Sequence, residues 1–206
     1  MIEKLLEKNQ QWADSQFEED PQFFSELAKG QNPDILYIGC SDSRVPFTTI
    51  TDSSPGEIFT HRNIANIIDP TDPNSMSAIE YAVTVLRVEN IVVCGHYGCG
   101  GIRALLEDHE GLDWTKKHLS SIDWLPEKYA NELAELPDLD AKHKFLVEKN
   151  VKEQCAIIRG IDFVEKAIRE TSSPKVYGLV FDLSSGKLLK MREVEGPILE
   201  QNGRSL

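Results

Sequence analysis

Two short apolar runs, Ile35-Leu36-Tyr37-Ile38 and Ile91-Val92-Val93-Cys94, constrain the fold more than anything else in this chain. Each is too short for a helix and too uniformly apolar to leave one face wet, which is the pattern of a strand buried in a parallel sheet. The first ends at Gly39-Cys40 and the second runs into Gly95-His96. Glu57-Ile58-Phe59-Thr60-His61 reads as a further strand, introduced by the turn Ser54-Pro55-Gly56. Asp72-Pro73-Asn74-Ser75 opens a helix through Met76, Ile79, Glu80, Val83 and Leu86, and another helix starts at Gly100-Gly101, directly after Cys99. The stretch 112–150 is helical but polar, with breaks at Pro126 and Pro137. Residues 150–170 carry an amphipathic helix through Val151, Cys155, Ile158, Ile161, Val164 and Ile168. Val176–Asp182 and Leu188–Met191, joined by Ser184-Ser185-Gly186, form a closing hairpin. The expected fold is α/β, a mainly parallel central sheet flanked by helices on both faces. In such sheets ligands collect at the carboxyl ends of strands, which brings Cys40, His96 and Cys99 to one edge.

The 206 residues suit a single domain, 1–206, with an N-terminal helical arm over 1–30 and an α/β core over 31–206. The arm carries Ile2, Leu5, Leu6 and Trp12, then Phe23, Phe24, Leu27 and Ala28 after Asp20-Pro21, so it needs an apolar surface to cover. A net charge of −12 argues against nucleic-acid binding, which leaves a basic footprint. An anionic ligand would therefore have to be attracted locally, by a metal, by Arg44 or by backbone amides. No run of eighteen apolar residues is present, so no membrane span is expected. The N-terminus is charged and lacks a signal peptide's apolar centre, and four cysteines do not make a disulfide scaffold. A cytoplasmic setting is expected.

Cys40, His96 and Cys99 are two thiols and an imidazole, the donor set that tetrahedral zinc accepts while keeping its fourth position open. Cys40 has no partner cysteine at the close spacing of a structural zinc site. Cys99 stands at a helix N-terminus, where the dipole favours a thiolate. Asp42 and Arg44 add a carboxylate and a fixed cation beside the first thiol. A nucleotide-phosphate loop fails on spacing, because the third glycine after Gly98 and Gly100 would fall at Arg103. His61 reads as a hydrogen-bonded structural histidine, and His109, His118 and His143 as surface residues. Cys94 and Cys155 read as core packing.

Cys40-Ser41-Asp42-Ser43-Arg44 followed by His96-x-x-Cys99-Gly100-Gly101 resembles the β-class carbonic anhydrases. The likeness runs from about Gln31 to Gly101 and takes in Pro55-Gly56-Glu57, Phe59, Arg62-Asn63-Ile64-Ala65-Asn66 and Glu80-Tyr81-Ala82-Val83. The resemblance implies one zinc per subunit and a homodimer or homotetramer whose arm packs on the partner. It also implies reversible hydration of CO2 to bicarbonate and a proton, by attack of zinc-bound hydroxide. It implies a substrate pocket of Gln31, Phe59, Ile64, Tyr81 and the Gly100 N–H. A second, regulatory bicarbonate pocket in that family uses Trp, Arg and Tyr; the matching residues here are Tyr37, Arg62 and Phe181, so only the arginine is kept. Asp42 is expected to orient the hydroxide and Arg44 to hold Asp42 ionised; Asp42 released from Arg44 would become a fourth ligand and close the site. Hydrolysis of CS2 or COS on the same scaffold, and a non-catalytic zinc or anion sensor, are the alternatives.

Overall fold

The computed structural model describes residues 1–107 and 110–191. His109 and the chain beyond 191 lie outside the described residues. Five strands form one sheet in the order β2-β1-β3-β4-β5. β1 is Ile35–Cys40, β2 Ile58–Asn63, β3 Asn90–His96, β4 Lys175–Asp182 and β5 Lys187–Lys190. β1 to β4 are parallel, and β5 turns back antiparallel on β4, giving the expected hairpin.

The order places a topological switch between β1 and β3, because β2 adds on one side of β1 and the chain then returns to add β3 on the other. A crevice opens outside the carboxyl ends of two strands where their onward connections diverge. Cys40 ends β1 and His96 ends β3, so both project into that crevice.

Alternation along β1 sends Leu36, Ile38 and Cys40 to one face and Tyr37 to the other. The first face is covered by most of the helices. α4 (Pro73–Glu80) starts on an Asp72 cap whose carboxylate accepts from the Asn74 and Ser75 amides, and it continues as the wider π-helical turn Tyr81–Leu86. The long helix α9 (Leu139–Arg159) lays Leu146, Val147, Val151, Cys155 and Ile158 against the same core. The opposite face holds a smaller cluster of Tyr37, Val92, Cys94 and Phe181 under Val45 and Phe47, the latter from the one-turn helix α3 (Phe47–Ile50). The helices are therefore divided unevenly between the faces, and Ile35, Ile58, Leu179 and Leu188 stay only partly buried.

The helix expected over 150–170 is two helices. α9 begins eleven residues earlier and ends at Gly160, and α10 (Asp162–Thr171) follows after Ile161. The apolar spacing is continuous across the break, so periodicity alone cannot see it; Gly160 is where the chain turns. The helix after Cys99, α5 (Gly100–Arg103), is a single turn. Between it and α9 lie α6 (Asp113–Leu119), α7 (Leu125–Lys128) and α8 (Ala130–Ala134), and Pro126 sits in the first turn of α7, where a missing N–H costs nothing. Pro137 does stand between α8 and α9 as a break. The N-terminal arm is α1 (Ile2–Glu19) and α2 (Phe23–Leu27), joined through Trp12 packing edge-on against Phe23 and Phe24. No residue of α1 is buried, and Ile2, Leu5, Leu6 and Phe17 are all more than half exposed.

Gly39 is required by its neighbour two residues back. The Tyr37 ring is fully buried, stacks on Phe47 at 3.9 Å between centroids, and lies over Gly39 so closely that a Cβ there would come within 2.0 Å of the Tyr37 hydroxyl. Gly39→Ala is expected to destabilise the protein by about 3 kcal/mol, the upper end for overpacking a core. In a Tyr37→Ala background, where the ring is gone, the same change should cost under about 1 kcal/mol. Thermal melts at fixed protein concentration test this, and additive costs would show that the ring is not the obstacle.

Candidate metal centre

The parallel register of β1 with β3, which pairs Gly39 with Cys94, carries the two chain segments into the crevice side by side. Cys40, His96 and Cys99 are all buried, and one donor atom from each lies within 4.8 Å of the other two. The Cys40 and Cys99 sulfurs are 3.8 Å apart. That is far beyond a disulfide's ~2.05 Å. It matches the ~3.8 Å separation of two sulfurs each ~2.3 Å from a tetrahedral ion.

His96 completes the set. Its Nδ1 donates to the Tyr97 carbonyl at 3.0 Å, which fixes the ring and leaves a bare lone pair on Nε2. That Nε2 is buried and has no hydrogen-bond partner. An orphaned acceptor facing two thiols is costly unless something electrophilic occupies the space between them. The donor set fits a soft-to-borderline divalent ion.

The two thiols share their protons unequally. The Cys99 S–H and the backbone N–H groups of Asp42 and Ala65 favour the Cys40 thiolate and, against burial, pull its pKa down. Cys99 is pushed up by its charged neighbour and by burial, against the pull of the Ile102 and Gly101 amides. The Ala65 amide reaches Cys40 because Ala65 adopts a left-handed conformation, with φ of 62°, at the end of β2. Gly101 allows the other side to close: a Cβ there would meet Ile64 Cγ2 at 2.8 Å and Ala65 Cβ at 3.0 Å.

Asp42 stands beside the three donors and is held away from them. Arg44 grips it at both oxygens, Nε to Oδ1 at 2.9 Å and Nη2 to Oδ2 at 2.7 Å, and the Arg44 amide adds a third bond at 2.9 Å. Arg44 Nη2 also reaches the Gly98 carbonyl at 3.2 Å, tying the Asp42 loop to the His96–Cys99 turn. The Arg44 guanidinium holds the Asp42 carboxyl well below the usual carboxylate range. Asp42 Oδ2 remains 3.7 Å from His96 Nε2. Asp42 is thus bound to Arg44 and not turned in among the three donors.

Arg62 does something that its sequence position did not reveal. Its Nε donates to the Cys40 carbonyl at 2.8 Å and its Nη2 to the Asp42 carbonyl at 2.7 Å, so it braces the loop that carries Cys40 and Asp42. Tyr37 and Phe181, the other two residues of the degenerate regulatory set, are buried in the smaller core cluster. The expected pocket residues are partly gathered. Phe59 and Tyr81 face each other at 5.8 Å between centroids, Ile64 packs over Gly101, and Ile64 and Tyr81 are 39% and 45% exposed. Nothing stands within 4 Å of where a Gly100 Cβ would be. Gln31 is exposed in a surface pocket with Phe23, Leu27, Pro55 and Gly56, none of them a candidate ligand.

Among the remaining histidines the structure corrects one expectation. His143, expected at the surface, is 2% exposed and its Nε2 donates to the Cys99 carbonyl at 2.9 Å. The polar residues around it in sequence hid the fact that α9 turns it inward. His118 bonds the Ile64 carbonyl at 2.9 Å, and His61 is buried against Asn63 and Ser75, a structural role. Cys94 and Cys155 are buried core thiols.

Residues 35–188 match the family model described as carbonic anhydrase. A carbonic anhydrase of Emericella nidulans is 43% identical over 195 residues, covering 95% of this chain and 85% of that protein. A tetrameric β-carbonic anhydrase from Sordaria macrospora superposes with a TM-score of 0.89 at 37% identity, covering 93% of this chain and 96% of that one. A β-carbonic anhydrase of Aspergillus fumigatus gives 0.89 at 41% identity, over 95% and 92% of the two chains. With this agreement of sequence, fold and buried Cys-His-Cys cluster, the chain belongs to the β-carbonic anhydrase family of enzymes.

Proposed function

We propose that this chain is a zinc-dependent carbonic anhydrase, with Cys40, His96 and Cys99 as the ligands, Asp42 as the acceptor that orients the reacting water, and Arg44 as the residue that aims Asp42. The observation that carries the reading is the buried, partnerless His96 Nε2 facing two thiols 3.8 Å apart. When bound, zinc supplies a Lewis acid that makes water nucleophilic, less strongly here than in a three-histidine site because two thiolates cancel its charge.

The chain's own residues do the rest. Arg44 occupies one side of each Asp42 oxygen, so the carboxylate stays ionised and cannot swing onto the ion. Oδ2, the oxygen nearer His96, is left to accept the hydrogen of the reacting water and turn a lone pair towards the carbon of CO2. Phe59, Ile64 and Tyr81 offer an apolar approach for a neutral substrate. The open backbone at Gly100 leaves space for a product oxygen beside its N–H. The degenerate Tyr37, Arg62 and Phe181 set is read as structural, since two Arg62 donors are engaged by the Cys40 and Asp42 carbonyls and Tyr37 and Phe181 are buried in the core.

We also propose a homodimer or homotetramer. The exposed apolar side chains of α1 and the thinly covered second sheet face both call for a partner surface. The Sordaria relative is described as tetrameric. A reducing, cytoplasmic setting is in keeping with four free, buried cysteines. No helix of the described residues is long and apolar enough to cross a membrane.

Zinc titration of the metal-free protein is expected to saturate at one ion per chain and to release protons, because both sulfurs bind as thiolates and the raised Cys99 thiol enters protonated. Cys99→Ala should abolish tight binding; saturation without proton release would contradict the thiolate assignment. In stopped-flow CO2 hydration, wild-type activity should rise from about pH 6.5 to about pH 9. Cys40→Ala should lose zinc and activity together, while Asp42→Ala should keep zinc and lose activity on the order of 10²-fold. Zinc-loaded protein inactive towards CO2 at every pH would defeat the proposal.

A further inference from the structure

The buried face of α9 carries three polar residues among its apolar ones: His143, Asn150 and Gln154. Each bonds a backbone group of another segment. Asn150 Nδ2 donates to the carbonyl of the left-handed Ala65 at 2.9 Å, and Gln154 takes the Ile68 amide at 2.7 Å while donating to Asn150 Oδ1 at 3.1 Å. His143 alone contacts a candidate ligand residue, through Nε2 and the Cys99 carbonyl. A carbonyl only accepts, so this nitrogen carries the hydrogen.

Cys99 needs that support. It is the cap of α5, a helix of one turn, and an isolated turn closed by so few hydrogen bonds has little stability of its own. The Cys99 carbonyl receives the Arg103 amide at 3.1 Å, and the Gly101 and Ile102 amides point at its sulfur. The direction of the sulfur therefore depends on where the Cys99 peptide is held. α9 is a 21-residue helix capped by Asp138, and it supplies a rigid frame for that peptide.

We propose that His143 is a positioning residue for the metal centre: by donating to the Cys99 carbonyl it fixes the turn that aims the Cys99 sulfur at the ion and the Gly101 and Ile102 amides at that sulfur. The proposal rests on the zinc reading above. It assigns His143 no contact with substrate and no proton to transfer. Loss of an outer-shell partner of a metal ligand typically weakens metal binding by about 10–100-fold, and a group that holds a ligand's backbone, and with it the pre-formed geometry, is expected to fall in the same range.

The test compares His143→Met with His143→Gln, side chains of similar size of which only Gln keeps an N–H donor. Zinc affinity is measured by chelator competition, and the sulfur-to-metal charge-transfer and ligand-field bands are recorded on cobalt-substituted protein. Leu146→Ala, a buried apolar change one turn along α9, is the control for simple loss of packing. His143→Met is expected to bind zinc about 10–100-fold more weakly with shifted cobalt bands. His143→Gln should stay within about threefold of wild type with wild-type bands. Leu146→Ala should lower the melting temperature and leave affinity and bands in place. Should His143→Met fail to fold, the Gln variant decides alone: retention of affinity and bands supports the donor role, and a tenfold loss overturns it. Wild-type affinity in folded His143→Met, or an equal loss in Leu146→Ala, overturns the proposal. A wild type that binds no zinc overturns both this and the zinc reading, whereas zinc-loaded wild type beside an unaffected His143→Met overturns only the role of His143.

Discussion

The parallel pairing of β1 with β3 is the constraint on which the rest depends. It is a backbone interaction, indifferent to the side chains that follow, yet it sets Cys40 and the His96–Cys99 turn side by side at the point where the sheet changes direction. The three donors converge with little help from loops, since Cys40 and His96 are themselves the last residues of their strands. A site mounted on the ends of buried strands inherits their rigidity.

What the strands cannot do is keep two sulfurs, a carboxylate and an imidazole together without a cation. Two arginines share that burden. Arg44 neutralises Asp42 from the solvent side, and Arg62 satisfies the Cys40 and Asp42 carbonyls from within. Amides of Asp42, Ala65, Gly101 and Ile102 turn towards the sulfurs, which lessens the cost of burying negative charge. For a chain of net charge −12 this local concentration of donors matters, because the protein's overall field would otherwise disfavour an anionic product.

The division of labour between sheet and helices follows. α9 packs its apolar residues against β3 and β4, and its few buried polar residues reach backbone that the sheet leaves unsatisfied. These contacts join residues far apart in sequence, such as Asn150 with Ala65, and hold a left-handed alanine that a local turn preference would not favour.

The order of residues is enough to fix the donors, the buried strand runs and the Asp42–Arg44 pair, because each is written in local composition: apolar runs bounded by glycine, and thiols and an imidazole placed where strands end. It also determined most of the helices through their periodicity. The break at Gly160, the single turn of α5 and the uneven covering of the sheet were not legible, since apolar spacing records that a face is buried and not what it is buried against. His143 looked solvent-bound for the same reason, as a histidine among lysines, until the tertiary structure supplied its partner, the Cys99 carbonyl. The bonds of Arg62 to the Cys40 and Asp42 carbonyls likewise had no sign in the order of residues. Carbonyls carry no sequence signature, so only the folded chain could decide which side chains hold the Cys40 and Cys99 segments in place.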